Sequence, residues 1–291
     1  MATISPRRRR DDFEESRVYE YPQHLREAIE DAPTGAGVYT FHGQEGDLPL
    51  YIGKSINIRA RLLSHLRTPD EARMLRQTQR ISHIRTAGEI GALLLEAQMI
   101  KAQYPLFNQK LRRNQQLCSL QMTGEVPQVV YARDIDFASQ PELYGLYASR
   151  HAALDALRAI ADQNRLCYGP LGLEKLPPGK VCFRAAIRQC AGVCRGDESA
   201  EAHRERLFSS LLALRVECWP YPGAVGLVER DGDFTQIHVV KHWCYLGSAP
   251  SPEAARQLSQ TASHVAAHFD ADGYKILCRP VLTGSVEILV L

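Results

Sequence analysis

The chain has no apolar run of about 18 residues, the length a membrane-spanning helix requires, so none of its 291 residues is expected to cross a bilayer. A large charge of either sign is also missing. Thirty-five Lys and Arg against 33 Asp and Glu leave a formal net charge of +2. Any nucleic-acid site must therefore be a local patch and not a field over the whole surface. The opening residues, MATISPRRRRDDFEES, have no apolar centre of the kind a secretory signal carries. A cytoplasmic, reducing location is expected, where the chain's eight cysteines favour metal binding or buried thiols over disulfides. No C-x2-C knuckle occurs, so a conventional zinc ribbon is excluded, and no helix-turn-helix pattern offers a sequence-reading module.

A chain of this length, 45% hydrophobic, can build separate cores in two globular domains. Arg7 to Arg10 read as a solvated basic tail or as an arm touching nucleic acid. Leu25, Ala28, Ile29 and Ala32 have helical spacing, and Pro33 ends that helix. Two short runs, residues 37–41 and 50–53, flank the turn-rich insert GQEGDLP and predict a β-hairpin. The face formed by Ile58, Leu62, His65 and Leu66 predicts a helix capped by Ser55 or Asn57, with Arg61 and His65 one turn apart. A second basic helix is expected over residues 69–80, carrying Arg73, Arg76 and Arg80 toward solvent or phosphate. A strand follows over residues 81–86. Thr86 to Glu89 has the form of a capping box, which gives Glu89 a structural role. In the helix after it, Ile90, Leu93, Leu94, Ala97 and Ile100 form the buried stripe, and Glu96 falls at its edge. Taken alone, Glu96 is either a boundary glutamate or a functional carboxylate.

Farther on, strands are expected at 129–132 and 144–147, with a helix from 152 to 161. Cys167, Cys182, Cys190 and Cys194 stand in a C-x14-C-x7-C-x3-C pattern interleaved with Lys180, Arg184, Arg188 and Arg195. Four sulfurs so spaced suit zinc or an iron–sulfur cluster, with plain thiols the alternative. Cys118, Cys218, Cys244 and Cys278 read as core residues. A helix over 201–217 precedes strands at 223–229, 235–240 and 286–291, with a hairpin turn at 231–233. His238 and His242 read as ordinary polar positions. Trp243, Tyr245 and Tyr274 read mainly as core residues, with base stacking the alternative.

Gly37-Val38-Tyr39 and Tyr51-Ile52-Gly53-Lys54 resemble the two signatures of the GIY-YIG nuclease family, and the stretch Asn57 to His65 resembles its UvrC branch. Glu96-Ala97, Ile100-Lys101 and Pro105-Leu106-Phe107-Asn108 extend the resemblance, and so does the cysteine pattern. No second, ribonuclease H-type nuclease domain and no helix-hairpin-helix signature accompanies these motifs, so the resemblance is to the short UvrC homologues. It implies an α+β fold: a small nuclease domain with a short antiparallel sheet flanked by helices, a cysteine-rich helical segment, and a C-terminal α+β part. The expected boundaries are a basic arm at 1–20, the nuclease domain at 21–115, a UvrC-like linker with the cysteines at 116–200, and a C-terminal domain at 201–291.

The resemblance further implies a bacterial DNA-repair endonuclease that cuts on the 3′ side of a lesion in nucleotide excision repair. Damaged double-stranded DNA would be its substrate and UvrB, loaded by UvrA, its partner. Glu96 would hold one Mg²⁺ or Mn²⁺, and Asn108 would close the active site. Tyr39 or Tyr51 would be the general base, with Lys54 and Arg61 supplying the positive charge a phenol requires near neutral pH. Cys167, Cys182, Cys190 and Cys194 would hold a [4Fe–4S] cluster, with Zn²⁺ the alternative. His65 stands where most UvrC proteins have tyrosine, and it brings a group that titrates near neutrality into the proton path. The competing classes are a non-catalytic DNA-binding scaffold and an autonomous nuclease. Lys110, Arg112 and Arg113 form a further basic run suited to phosphate or water.

Overall fold

The computed structural model describes residues 22–44, 49–108, 116–124, 126–177, 179–262 and 269–291. The basic stretches at Arg7–Arg10 and Lys110–Arg113, and the centre of the GQEGDLP insert, lie outside these. Two compact units emerge. The first is built from residues 1–112 with 227–238 and 248–255, and the second from the remainder.

In the first unit, α1 (Arg26–Glu30) leads to β1 (Gly37–His42), β2 (Pro49–Ser55), α2 (Ile58–His65), α3 (Ala72–Gln77), β3 (Arg80–Arg85) and α4 (Glu89–Gln103). The sheet order is β2-β1-β3, antiparallel throughout. Its central strand β1 is buried along its whole length, as its aromatic and β-branched residues favour. β3 carries charged, exposed residues at a sheet edge, which discourages pairing with another chain. Leu25, Ile29, Phe41, Ile58, Leu62 and Leu75 share the core on one side of the sheet. Val38, Ile52 and Ile100 form a separate cluster with Leu95 and Met99 of α4.

Several sequence expectations are refined here. Asn57, not Ser55, caps α2, its side chain accepting from Ala60 N at 2.9 Å. Ala28 is exposed, so the first helix buries only one side of its short length. The basic helix expected over 69–80 is a 3₁₀ turn plus the six residues of α3, and Arg80 belongs to β3. The capping box does not form. Thr86 Oγ1 donates to the Gly88 carbonyl, Gly88 is the N-cap residue, and Glu89 turns to Lys54.

In the second unit, β4 (Cys118–Gln121) pairs with β5 (Gln128–Tyr131) and β6 (Leu143–Tyr147), and α5 (Arg150–Gln163) packs on them. α6 (Phe183–Ala186) lies within the cysteine-rich stretch. α7 (Ala200–Leu211) ends earlier than its heptad-like leucines suggest, passing into a 3₁₀ turn at 212–214. β7 (Val225–Asp231), β8 (Phe234–Lys241), β9 (Cys244–Ala249), α8 (Pro252–Ala262), α9 (Ala271–Thr283) and β10 (Glu287–Val290) complete the chain, with a sheet in the order β10-β7-β8-β9. Trp243 is buried against Trp219 and Tyr274 and donates to the Glu217 carbonyl at 3.0 Å, the core role expected of it.

Candidate active site

The register of the first hairpin sets the tyrosine of the first motif against the glycine of the second. Tyr39 faces Gly53 across β1 and β2, and Phe41 faces Tyr51. A Cβ on Gly53 would lie 2.3 Å from the Tyr39 hydroxyl oxygen and 2.8 Å from Tyr51 Cε1, so only glycine lets the phenol sit there. A Cβ on Gly37 would lie 2.2 Å from the Ile84 carbonyl oxygen, which keeps β1 against β3. The glycines of the motif thus exist to admit a tyrosine side chain and a neighbouring strand.

Tyr39 is only 1% exposed, and its hydroxyl lies 2.7 Å from His65 Nε2. His65 Nδ1 in turn contacts the Glu71 carboxylate. Phenol, imidazole and carboxylate form a chain that runs from the buried hairpin tyrosine to the partly exposed Glu71. Burial holds the Tyr39 phenol well above its ordinary value, with the nearby Tyr51 adding to the rise and Arg61 opposing it. Burial likewise raises Tyr51, where Glu96 adds to the rise and Arg61 opposes it. His65 is lowered, first by burial and against the pull of Glu71, so it is neutral near pH 7. The Arg61 guanidinium is held charged by its hydrogen bond to Tyr39.

Glu96, on the face of α4 turned to β2, accepts from the Lys54 backbone N–H at 3.1 Å through Oε1. Burial raises its carboxyl, and the Lys54 amide and ammonium oppose this. Its Oε2 takes no hydrogen bond from the described residues. A carboxylate held by one oxygen and open at the other, beside two phenols and a guanidinium, is a donor set that fits a hard divalent cation completed by water and phosphate. Lys54 Nζ pairs with Glu89 at 2.6 Å, so its charge is shared with a carboxylate.

Asn108 is buried against β2. Its Oδ1 accepts from Ile52 N at 2.9 Å and its Nδ2 donates to Ile52 O at 2.8 Å, which clamps the β2 backbone between Tyr51 and Gly53. Glu71 joins the site although no motif or spacing marks it. It stands six residues beyond His65, past the end of α2, and only the turn at Leu66–Thr68 brings it back.

A second omission concerns α4. Glu229, on β7, accepts from the N–H groups of Ile90 and Gly91 at 2.9 and 2.8 Å, the free amides of the helix's first turn. His238 Nε2 lies 2.9 Å from the same carboxylate and its Nδ1 lies 2.7 Å from Ser248 Oγ. Gln236 accepts from Ala87 N at 2.9 Å. Burial raises the Glu229 carboxyl, but His238 and the two amides outweigh it and bring it below its ordinary value. His238 is fully buried and is no ordinary polar position.

The four clustered cysteines also converge. Cys167 Sγ lies 3.2 Å from Cys190 Sγ, and Cys182 Sγ lies 3.7 Å from Cys190 Sγ and 3.5 Å from Cys194 Sγ. Burial pushes Cys190 up to about 12 and Cys194 up to about 11, an effect a bound cation would reverse. Burial also raises Cys167, but the Cys194 N–H, the Cys190 thiol and the Gly192 and Val193 amides bring it below its ordinary value. Cys167, Cys182 and Cys194 lie within 4.8 Å of one another, close enough for their thiolates to meet at one metal centre.

The paired hairpin tyrosines, the arginine on α2 and the glutamate on α4 define the class: a GIY-YIG endonuclease of the UvrC type. Three family descriptions cover nearly the whole chain. Residues 35–109 match the UvrC-like GIY-YIG domain, residues 109–212 the UvrC/Cho excinuclease middle domain, and residues 224–291 the excinuclease Cho C-terminal domain. Excinuclease Cho of Escherichia coli K12 is 57% identical over 277 residues, 95% of this chain and 92% of the relative. That of Salmonella typhimurium LT2 is 55% identical over 280 residues, 96% and 94%. The UvrABC system protein C of Nitrobacter hamburgensis is 34% identical over 182 residues, 60% of this chain and 26% of that one. Among solved structures, the magnesium-bound GIY-YIG N-terminal endonuclease domain of UvrC from Thermotoga maritima is 32% identical, covers 29% of this chain and 94% of its own, and gives a TM-score of 0.27. The chain belongs to the excinuclease Cho family. It is a metal-dependent DNA endonuclease of nucleotide excision repair.

Proposed function

We propose that the protein makes a single nick on the 3′ side of a lesion, in duplex DNA delivered by UvrA and UvrB, and that it makes no 5′ cut. The observation that carries the reading is Glu96 held at the Lys54 amide with one carboxylate oxygen left open, near a Tyr51 phenol that feels both Glu96 and Arg61. A single Mg²⁺ or Mn²⁺ held by Glu96 would supply Lewis acidity at the scissile phosphate. Arg61 clamps that phosphate and stabilises negative charge on the phenol beside it. Between the two candidate bases, Tyr39 is favoured because its proton has a destination. It can accept the attacking water's proton while passing its own to His65 Nε2, and Glu71 steadies the imidazolium formed. No free phenolate is then required, which removes the obstacle of a raised phenol. Asn108 acts as a positioning residue, holding β2 so that Tyr51 and Gly53 keep their register.

The four-cysteine site is read as a metal pin within the second unit. The sequence pattern favours [4Fe–4S], with Zn²⁺ the alternative, and iron, sulfide and zinc analysis of purified protein separates the two. The central test is a gel assay. A duplex carrying one bulky lesion, loaded with UvrA and UvrB, is incubated with Mg²⁺ and wild-type protein or Glu96→Gln. One 3′-side nick with wild type and none with the variant is the expected result. Binding without any nick would favour a scaffold, and cutting of undamaged DNA without the partners would favour an autonomous nuclease.

A further inference from the structure

The cysteine-rich segment inverts the usual distribution of side chains. Arg184 is 8% exposed, while Phe183 beside it is 67% exposed. The arginine is paired with Asp162 at 2.6 Å, donates to the Gln189 carbonyl at 2.8 Å and lies 4.8 Å above the Tyr168 ring. The phenylalanine points outward with Val181 and Ile187, 42% and 44% exposed. Phe183 and Ile187 are one turn apart and share a face. Burying a cation while exposing an aromatic costs stability, and an exposed apolar patch of this kind marks a contact surface.

The backbone around the patch is firmly fixed. Cys182 Sγ accepts from Ala185 N at 3.3 Å, Cys194 Sγ accepts from Cys182 N at 3.3 Å, and Ile187 N donates to Phe183 O at 3.2 Å. Arg188, next to the patch, adopts φ of 59°, a left-handed conformation uncommon for any residue but glycine. From Lys175 to Gly196 the chain holds five basic residues and no acidic one, against a net charge of +2 for the whole molecule. Arg184 and Arg195 have carboxylate partners. Lys175, Lys180 and Arg188 are exposed and make no ion pair among the described residues.

We infer that this surface binds DNA, with an unstacked nucleobase lying on Phe183 and the flanking phosphates on Lys180 and Arg188. An aromatic face with Val and Ile beside it stacks any base, and unpaired cations on a rigid loop hold the backbone at fixed spacing. The site lies outside the residues assigned to hydrolysis. It would add affinity for a distorted strand without adding sequence preference.

The test measures binding and not cleavage, so it does not depend on the assignment of Glu96. A fluorescently labelled single-stranded oligonucleotide is titrated with full-length wild type, Phe183→Ala, Phe183→Trp and the double variant Lys180→Gln/Arg188→Gln, without added Mg²⁺ and across a salt series. Metal content is recorded for each protein. Phe183→Ala should weaken binding by about tenfold or more, and Phe183→Trp should restore it. The double variant should lower the slope of log affinity on log salt by about 1 to 1.5. If Phe183→Ala disturbs the metal site, the double variant, which leaves the aromatic in place, decides the matter through the slope. Wild-type affinity in Phe183→Ala with intact metal, or an unchanged slope in the double variant, overturns the proposal. So does a Phe183→Ala protein that binds DNA normally and loses only its association with UvrB, which would make the patch a protein contact.

Discussion

Replacing Glu229 by glutamine tests whether the first turn of α4 is held from β7. The carboxylate accepts from Ile90 N at 2.9 Å, from Gly91 N at 2.8 Å and from His238 Nε2 at 2.9 Å. Glutamine keeps one oxygen and turns an NH₂ toward a donor. One amide of the helix start then loses its acceptor, a cost of about 1–3 kcal/mol. Loss of negative charge at a helix N-terminus adds roughly 0.3–1 kcal/mol. The expected destabilisation at pH 7 is therefore about 1–4 kcal/mol. The sign with pH follows from the lowered carboxyl. A group depressed on folding contributes fully above its unfolded value, about 4.3, and its contribution disappears as pH falls through the folded value. Urea unfolding of wild type and Glu229→Gln should show the full gap at pH 6 to 7 and a shrinking gap below about pH 4. Hydrogen exchange at the Ile90 and Gly91 amides should accelerate in the variant. Because α4 carries Glu96, nicking should also weaken. A gap constant with pH, or wild-type exchange at those amides, would refute the reasoning.

Other perturbations reach the same site from different sides. Gly53→Ala puts a Cβ 2.3 Å from the Tyr39 oxygen, and the Tyr39 ring is packed by Phe41, Tyr51 and His65. About 1–3 kcal/mol of overpacking strain is expected, with loss of nicking, read by thermal melting and the gel assay together. His65, lowered by burial, binds protons more readily unfolded than folded, so stability should fall as pH drops below about 6.5, and nicking at the lower pH where the folded imidazole takes up a proton. His65→Tyr should flatten that acid limb of the pH–rate profile. An unchanged limb would remove His65 from the proton path.

Much of the catalytic hairpin is legible in order along the chain, because its chemistry is local. Tyr39, Tyr51, Lys54, Arg61 and His65 fall within one hairpin and the helix that follows, and the periodicities of strand and helix decide their facing. The Glu96 helix follows from its apolar content, although Gly91 and Ala92 are buried in it while Ile90 and Leu93 of the expected stripe are only half-buried, and the cysteine convergence follows from tight spacing. The capping box shows where local pattern fails. Thr86 and Glu89 have the right spacing, yet Lys54 from β2 offers Glu89 an ion pair and Glu229 takes the helix amides, so a long-range carboxylate displaces the local cap. Asn108 reads as a motif residue, and only its two hydrogen bonds to Ile52 reveal a backbone clamp. Glu71 and His238 carry no pattern at all. The sequence by itself determined which side chains could do chemistry and the hairpin and helices that carry them. Tertiary structure alone decided which carboxylate receives each donor, because hydrogen bonds are allotted by distance in the folded core and not by separation along the chain.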